Sequence, residues 1–140
     1  DYQKMGQMNF SEVDVDPEKR LEAIYENSIK YAVACKNETK FYLRYTLFTP
    51  LELKKDIEDY MKPTYERKRE LFKKYLTQLC EMQDYKFDIK TAVIMFERLV
   101  DDSTFNIVFS SWNPNKKEIS EIFSTFCGLH YKGIPFVNNN

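Results

Sequence analysis

Apolar positions recur at three- and four-residue steps along most of the chain, which is the pattern of amphipathic helices. The first such segment opens at Asp16, where "DPEK" combines a capping aspartate, a proline suited to the first helical position and an acidic first turn. Its apolar face is formed by Leu21, Ile24, Tyr25, Ser28, Ile29 and Ala32. The sequence therefore predicts a helix from Asp16 to about Cys35.

The segment 39–48, "TKFYLRYTLF", does not follow that pattern. Its apolar residues alternate with more polar ones, and its residue types favour a strand. The sequence contains no second strand-like run to pair with it, and an unpaired strand would leave its backbone groups unsatisfied. Two interpretations remain open: a short helix enforced by tertiary packing, or an extended segment that binds a partner.

Proline and capping signals divide the middle of the chain. Thr49 and Glu52 form a capping box around Pro50, and together they predict a helix that Pro63 is expected to end. A further amphipathic helix is predicted to follow directly, over 64–82.

Similar signals occur in the second half of the chain. Asp88 is suited to cap a fifth helix, which we expect to break at 101–103, with the serine at the end of that break capping a short sixth helix. Asn115 and Glu118 form another capping box, and Gly128 is placed to end the last helix in the left-handed conformation.

Six or seven helices with short connections indicate an all-α domain, arranged as an antiparallel helical bundle or as a short HEAT-like helical-repeat array. The repeat interpretation comes from Cys35, Cys80 and Cys127, which lie 45 and 47 residues apart near predicted helix ends. HEAT units repeat about every 40–47 residues. The expected organisation is a flexible arm over 1–15, a single helical domain over 16–132 and a frayed tail over 133–140.

Composition limits the partners and the compartment. With 21 basic and 22 acidic residues, the net charge of -1 gives no overall field that would attract nucleic acid or an anionic membrane. No apolar run approaches the roughly 18 residues needed to span a membrane, so we expect no membrane contact. An odd number of cysteines without a C-x-x-C pair is typical of reduced thiols in a cytoplasmic or nuclear protein.

The sequence offers few groups for catalysis. His130 is the only histidine, which leaves catalytic triads and paired-histidine metal sites without their parts. Three glycines are too few for a phosphate-binding loop, and the acidic pairs near Asp14 and Asp101 are better explained as helix-capping signals. We therefore predict a non-catalytic protein with no metal and no cofactor.

One cluster of charge is a candidate for binding an anionic partner. The predicted fourth helix carries the motif "ERKRELFKK", in which residues one turn apart share a side of the helix. RNA phosphates or an acidic protein could bind such a ridge, whereas a solvated helix face moderated by Glu66 and Glu70 is the alternative interpretation. This basic ridge comprises Lys62, Arg67, Lys68, Arg69, Lys73 and Lys74.

A family resemblance is carried by the run 96–109, "FERLVDDSTFNIVF". Within residues 91–112, the sequence resembles the first hairpin of the middle domain of translation-initiation scaffold proteins, a HEAT-type fold that also occurs in cap-binding and RNA-decay scaffolds. The resemblance implies a helical hairpin with an acidic hinge, and a scaffold function in an RNA- or translation-associated complex. Ser103 stands where the family has a hinge proline.

A second motif resembles a docking segment of the same kind of scaffold. Residues 42–48, "YLRYTLF", fit the pattern Y-x-x-x-x-L-φ, where φ is apolar, by which such scaffolds dock on the cap-binding initiation factor. The resemblance implies that Tyr42, Leu47 and Phe48 bind a protein partner on one side of a short helix.

The cyclin box is a rival resemblance. The segments "DIEDYM", "YLTQLCE" and "AVIMFERLV" are similar to its opening helices, although too few residues follow for the remaining helices of that fold. Our sequence-based prediction is a helical protein-interaction module. A nucleic-acid-binding domain that uses the basic ridge and a cyclin-like regulatory domain are the alternatives.

Overall fold

A computed structural model of the chain describes residues 16–83 and 87–128, and in these ranges it is all helical. The predicted all-α class is confirmed. The described residues form five α-helices rather than six or seven, because two pairs of predicted helices are each one continuous helix. The elements are α1 (Pro17–Ala34), α2 (Lys36–Leu47), a short 3-10 turn (Leu51–Leu53), α3 (Lys54–Gln83), α4 (Ile89–Ser110) and α5 (Lys116–Cys127).

The start of α1 agrees with its sequence signals. The carboxylate of Asp16 accepts hydrogen bonds from the backbone N–H groups of Glu18 at 3.0 Å and Lys19 at 3.4 Å. These bonds satisfy donors that would otherwise have no partner within the first turn. The predicted apolar face of α1 is buried throughout.

The segment whose local structure remained open in the sequence is helical. Residues of α2 turn Thr39 and Leu43, one turn apart, towards the protein interior. The alternation of apolar residues that favoured a strand therefore reflects a helix with apolar side chains on more than one side. Burial of one side supplies the tertiary packing that this helix needs.

The predicted helix end at Pro63 is wrong, because α3 continues through this residue for its full length. Proline removes one backbone N–H from a helix interior, which frees a carbonyl in the preceding turn. Pro63 and the residues around it are largely exposed, so water can bond that carbonyl. The capping box predicted for Thr49 and Glu52 is also wrong. The Thr49 hydroxyl donates backwards to the carbonyl of Tyr45, and no side chain caps the 3-10 turn.

The predicted break at 101–103 is wrong as well, since α4 passes through it without interruption. Ser103 is buried, and its hydroxyl lies 2.8 Å from the hydroxyl of Tyr25 on α1. Thr104 donates its hydroxyl proton to the carbonyl of Asp101 at 3.0 Å. The polar residues that indicated a hinge are therefore satisfied inside the helix and across its contact with α1.

The last two helix termini show one confirmed prediction and one error. Asn115 and Glu118 form the predicted capping box, with bonds of 2.8 and 3.2 Å between each side chain and the other residue's N–H. Gly128 has a φ of -60°, so the predicted left-handed cap is wrong at that position. Ser111 adopts the left-handed conformation instead, with a φ of 56°, where α4 ends.

The core lies around α1, which contacts each of the other four helices. Four buried aromatic rings join α1, α3, α4 and α5. Phe96 meets Phe72 edge-on with ring centroids 4.7 Å apart and Phe123 at 6.5 Å, while Tyr25 stacks on Phe123 at 6.3 Å. Edge-on and offset ring pairs of this kind stabilise a core beyond their buried area.

Several predictions concern residues outside the described ranges. These are the arm over 1–15, the domain end at 129–132 with His130, and the tail over 133–140. None of the three cysteines forms a disulfide with another described residue; Cys127 is buried and the other two are partly exposed. None of the helices in the described ranges combines the length and the apolarity that crossing a bilayer requires.

Candidate functional site

Exposed apolar side chains are concentrated in one part of the fold. Eleven large apolar residues are exposed among those described, and nine of them lie on α2, at the α2–α3 connection, at the start of α3 or near the end of α4. We call these nine residues the apolar surface. They are Phe41, Tyr45, Leu47, Phe48, Leu51, Leu53, Tyr60, Phe105 and Phe109.

The side of α2 that faces away from the core is aromatic. Phe41 and Tyr45 lie one turn apart with their ring centroids 4.4 Å from each other, and Phe48 follows directly after the helix. Phe41 is 62% exposed and Phe48 is 71% exposed. We call these three residues the aromatic stripe. A helix with apolar residues on opposite sides is typical of a protein interior, so the stripe is suited to being covered by another molecule.

A cavity of about 230 Å³ lies between α2, α3 and α4. It opens next to a shallower groove of about 480 Å³ between the end of α2, the 3-10 turn and the first half of α3. Thr46, Leu47 and Tyr65 line both spaces. The other residues lining the cavity, which we call the polar cavity, are Tyr42, Leu43, Lys68, Arg69, Phe72, Glu97, Val100, Asp101 and Phe105.

Charges in the polar cavity compensate each other. The Nε of Arg69 lies 3.2 and 3.1 Å from the two carboxylate oxygens of Glu97. Burial lowers the pKa of Lys68, while the charges of Asp101 and Glu97 oppose that change. Burial likewise raises the pKa of Asp101. The positive charge of Lys68 lowers this pKa, and the negative charge of Glu97 raises it further. Two basic and two acidic groups thus face one another, which leaves no excess of one sign.

The hydroxyl groups of the polar cavity are engaged within the protein. Tyr65 has a raised pKa because it is partly buried, and a hydrogen bond with the side chain of Tyr42 acts in the opposite direction. Thr46 donates to the carbonyls of Tyr42 and Leu43, at 3.1 and 3.2 Å. The described residues that line the cavity include no cysteine or histidine and place no nucleophile beside a base. The hydrogen bond between Tyr42 and Tyr65 links α2 to α3 across the cavity.

The three predicted docking residues are only partly brought together. Tyr42 faces the polar cavity and is bonded to Tyr65, and Leu47 lies at the same cavity and is 55% exposed. Phe48 lies outside it, in the aromatic stripe. The structure therefore places Tyr42 at the polar cavity, Leu47 both at this cavity and on the exposed surface, and Phe48 on the exposed surface alone.

No protein-family model, curated protein or solved structure matches the chain.

The residues of the predicted basic ridge point to different neighbours. Lys68 and Arg69 are directed towards the acidic residues of α4 that line the polar cavity. Lys62 pairs with Glu66 at 3.9 Å, and Lys74 lies 5.6 Å from the ring of Tyr75. Arg67 and Lys74 line a shallow groove that also contains Glu66 and Glu70, and Lys73 is exposed. The cations thus occupy more than one side of α3 and lie among acidic residues.

Sequence reasoning missed Phe41 and Tyr45, which are central to the exposed aromatic side of α2. Their spacing of four residues, followed by Phe48 three residues later, is a helical stripe that would have been visible once the segment was taken as a helix. The contacts of Lys68 and Asp101 had no comparable signal, because the two residues lie 33 positions apart on different helices. Within the described residues, no group of three or more histidine, cysteine or acidic side chains is placed to hold a metal ion.

Proposed function

We propose that the chain is a non-catalytic interaction module that binds a protein partner through the apolar surface. The observation that carries this proposal is that, of the eleven large apolar residues exposed in the described part of the chain, nine are concentrated on neighbouring elements. Scattered exposed apolar residues are ordinary in monomeric proteins, whereas a concentration of them is a mark of protein interfaces.

The size of the apolar surface supports a protein as the partner. Six of the nine residues are aromatic, each with a side chain of roughly 150–250 Å², so the nine partly exposed residues together present an area on the order of 1,000 Å². A stable complex buries about 800 Å² on each partner. The apolar surface is therefore of the size that one protein interface requires.

The arrangement of the helices is consistent with a module that presents α2 on a firm base. We propose a bundle rather than a repeat array, because α1 contacts all four other helices. In a repeat array each unit contacts only its neighbours. Packing against α4 holds one side of α2 in place, and the other side remains available to a partner.

The resemblance to translation-initiation scaffolds remains part of the proposal in a restricted form. Leu47 and Phe48 are exposed and can contact a partner directly. Tyr42 is hydrogen-bonded to Tyr65 and would contribute to partner binding by positioning α2. A role in an RNA- or translation-associated complex would then come through the bound protein. Direct RNA binding by the basic ridge gains no support from cations that lie among acidic residues, and it remains a prediction.

The test is a comparison of variants in affinity capture from native extract, followed by mass spectrometry and by binding of the purified partner. Replacing Phe48 and Leu51 by Asp puts charge into the apolar surface at two exposed positions. Met82→Asp is the matched control, since Met82 is 57% exposed at the far end of α3. We expect the same partner with the unmodified chain and with the control, and its loss with the double variant.

Circular dichroism must show that all three proteins are equally helical. A partner that is retained by the double variant would contradict the proposal. So would a partner that is lost to the same extent with Met82→Asp. An RNA that is captured in place of a protein, and released by salt, would support the basic ridge instead.

A further inference from the structure

We infer that the aromatic stripe of α2 binds an amphipathic helix of the partner whose apolar residues are flanked by acidic side chains. This inference rests on the proposed function and specifies the chemistry of the partner. Three features of the described residues lead to it: the spacing of the stripe, its aromatic neighbour on α4, and the charge of α2.

The spacing of the stripe suits a helix as the occupant. Phe41, Tyr45 and Phe48 are four and three residues apart, which is the spacing by which one helix presents a row of side chains to another. A partner helix recognises such a surface with its own residues at the same spacing. An extended peptide would instead need a free sheet edge, and the described residues contain no strand.

A second aromatic row borders the stripe. On α4, Phe105 and Phe109 lie one turn apart with their ring centroids 4.6 Å from each other, and both are partly exposed. Lys40 of α2 lies between the two rows, with its Nζ 5.5 Å from the centroid of the Phe109 ring. A helix laid along α2 next to α4 can therefore contact aromatic rings on both sides of a basic residue.

The positive charge of α2 favours acidic residues beside the apolar positions of the bound helix. The helix carries Lys36, Lys40 and Arg44 against a single acidic residue, Glu38, so its net charge is +2. None of the ion pairs between described residues includes one of these three cations. In helical projection, Lys40 and Arg44 lie on the same flank of the stripe, which is the flank where Lys40 contacts Phe109 of α4. Acidic residues on a bound helix would meet them there, while basic residues would be repelled.

The same charges disfavour a second copy of this chain as the occupant. An antiparallel pairing of two α2 helices about a two-fold axis places each flank against the same flank of the other copy. The flank with Lys40 and Arg44 would then face itself, and like charges brought together at an interface weaken binding. A partner with an acidic helix avoids this repulsion.

The first test identifies the occupant while the partner is still unidentified. A displayed library of amphipathic helices, with the apolar positions and their flanking positions varied independently, is selected on the full chain. Counter-selection uses Tyr45→Asp, which places a charge within the stripe. We expect enriched helices with large apolar residues at helical spacing and with Asp or Glu beside them. Enrichment of neutral or basic flanks, or no enrichment over Tyr45→Asp, would overturn the inference.

The second test uses the partner purified after affinity capture. Lys36→Glu with Arg44→Glu reverses two exposed charges on α2 while leaving Lys40 in place on Phe109. Lys90→Glu with Lys116→Glu is the matched control, because both residues are exposed in the first turns of other helices. We expect the α2 variant to bind the partner about tenfold more weakly at low salt, with a smaller difference at high salt, and the control to bind normally.

The two proposals fail in different ways in this experiment. A partner that is lost with Phe48→Asp and Leu51→Asp but binds the α2 charge variant normally supports the proposed function and overturns the acidic helix. A partner that is unaffected by either set contradicts both. Sedimentation of the chain alone gives a further outcome: a dimer that dissociates on Tyr45→Asp would assign the stripe to a second copy and overturn the inference.

Discussion

Tyr25 shows how one buried polar group connects two helices. Its ring is fully buried, and its hydroxyl shares a hydrogen bond with Ser103 across the contact of α1 and α4. Burial raises the pKa of Tyr25, the bond with Ser103 lowers it in part, and the charge of Asp102 raises it further. Because the pKa in the folded state lies above the unfolded value of 10.0, folding is favoured below that pH. This contribution is lost as the pH rises through the folded pKa.

Tyr25→Phe tests this coupling. At neutral pH we expect a loss of about 1 kcal/mol in the free energy of unfolding, because the Ser103 hydroxyl loses its partner. At about pH 10.5 and above, the original protein should lose stability while the variant loses less, since it has no buried phenol to ionise. Urea unfolding at both pH values measures the difference. Tyr60→Phe is the control, since Tyr60 is 81% exposed. Equal alkaline losses in the original protein and Tyr25→Phe would contradict the account.

Thr39 carries a hydroxyl group into the interior of the fold. Its side chain is fully buried on the inner side of α2, and its Oγ1 accepts and donates no hydrogen bond among the described residues. A buried polar atom in this state costs about 1–3 kcal/mol. Valine has nearly the same shape without the hydroxyl group.

We expect Thr39→Val to raise the free energy of unfolding by about 1 kcal/mol, because it removes that cost and retains the packing. Thr46→Val is a matched control on the same helix, where the hydroxyl is bonded to the carbonyls of Tyr42 and Leu43. The control should leave the stability unchanged or lower it. A Thr39→Val protein that is less stable in urea would indicate an additional partner for this hydroxyl, such as a bound water.

At the level of the helices, local capping signals in the sequence correctly predicted helix N-termini that are exposed to solvent. The caps at Asp16 and Asn115 satisfy N–H groups at open helix ends, so short-range sequence determines them. The errors at Pro63 and 101–103 have another cause. Breaking signals there are worth at most a few kcal/mol, about 3 for an interior proline, and contacts made elsewhere in the fold outweigh them.

The candidate site was predictable to a similar extent. Leu47 and Phe48 lie on the exposed surface, and their role in binding a partner stays a prediction. Tyr42 was expected beside them, but it lies at the polar cavity, where it is hydrogen-bonded to Tyr65. That bond joins residues on different helices, and one sequence contains no signal for it. Patterns within a helix were thus readable, whereas pairings between helices were not.

Proline at position 103 distinguishes a continuous α4 from a hairpin. A hinge of the scaffold type would accept proline, which the resembling family carries at this position. In a continuous helix, Ser103→Pro removes a backbone hydrogen bond and clashes with the preceding turn, at a cost of about 3 kcal/mol or more. Ser103→Ala is the control and should cost only about 1 kcal/mol, through the loss of the bond with Tyr25. If the two variants were equally stable in urea, the result would support a hinge at this position and contradict a continuous α4.

Across the whole molecule, α1 and the aromatic core make the described residues one packing unit. Phe123 is a central contact between α5 and this unit, since its ring lies against those of Tyr25 on α1 and Phe96 on α4. The sequence predicted a single domain over 16–132. A domain held together in this way should unfold in one cooperative step.

Phe123→Ala tests whether the domain unfolds as one cooperative unit. Loss of a fully buried ring costs about 3–5 kcal/mol, a large share of the roughly 5–15 kcal/mol available to a domain. Leu51→Ala, at a residue that is 85% exposed, should change the stability by about 0.5 kcal/mol at most. Helical circular dichroism follows the whole fold, and the fluorescence of Trp112 follows the segment between α4 and α5. If the domain is one unit, both signals shift together to lower urea in Phe123→Ala. A helical transition that splits, with the Trp112 transition unmoved, would mean that α5 unfolds separately from the rest.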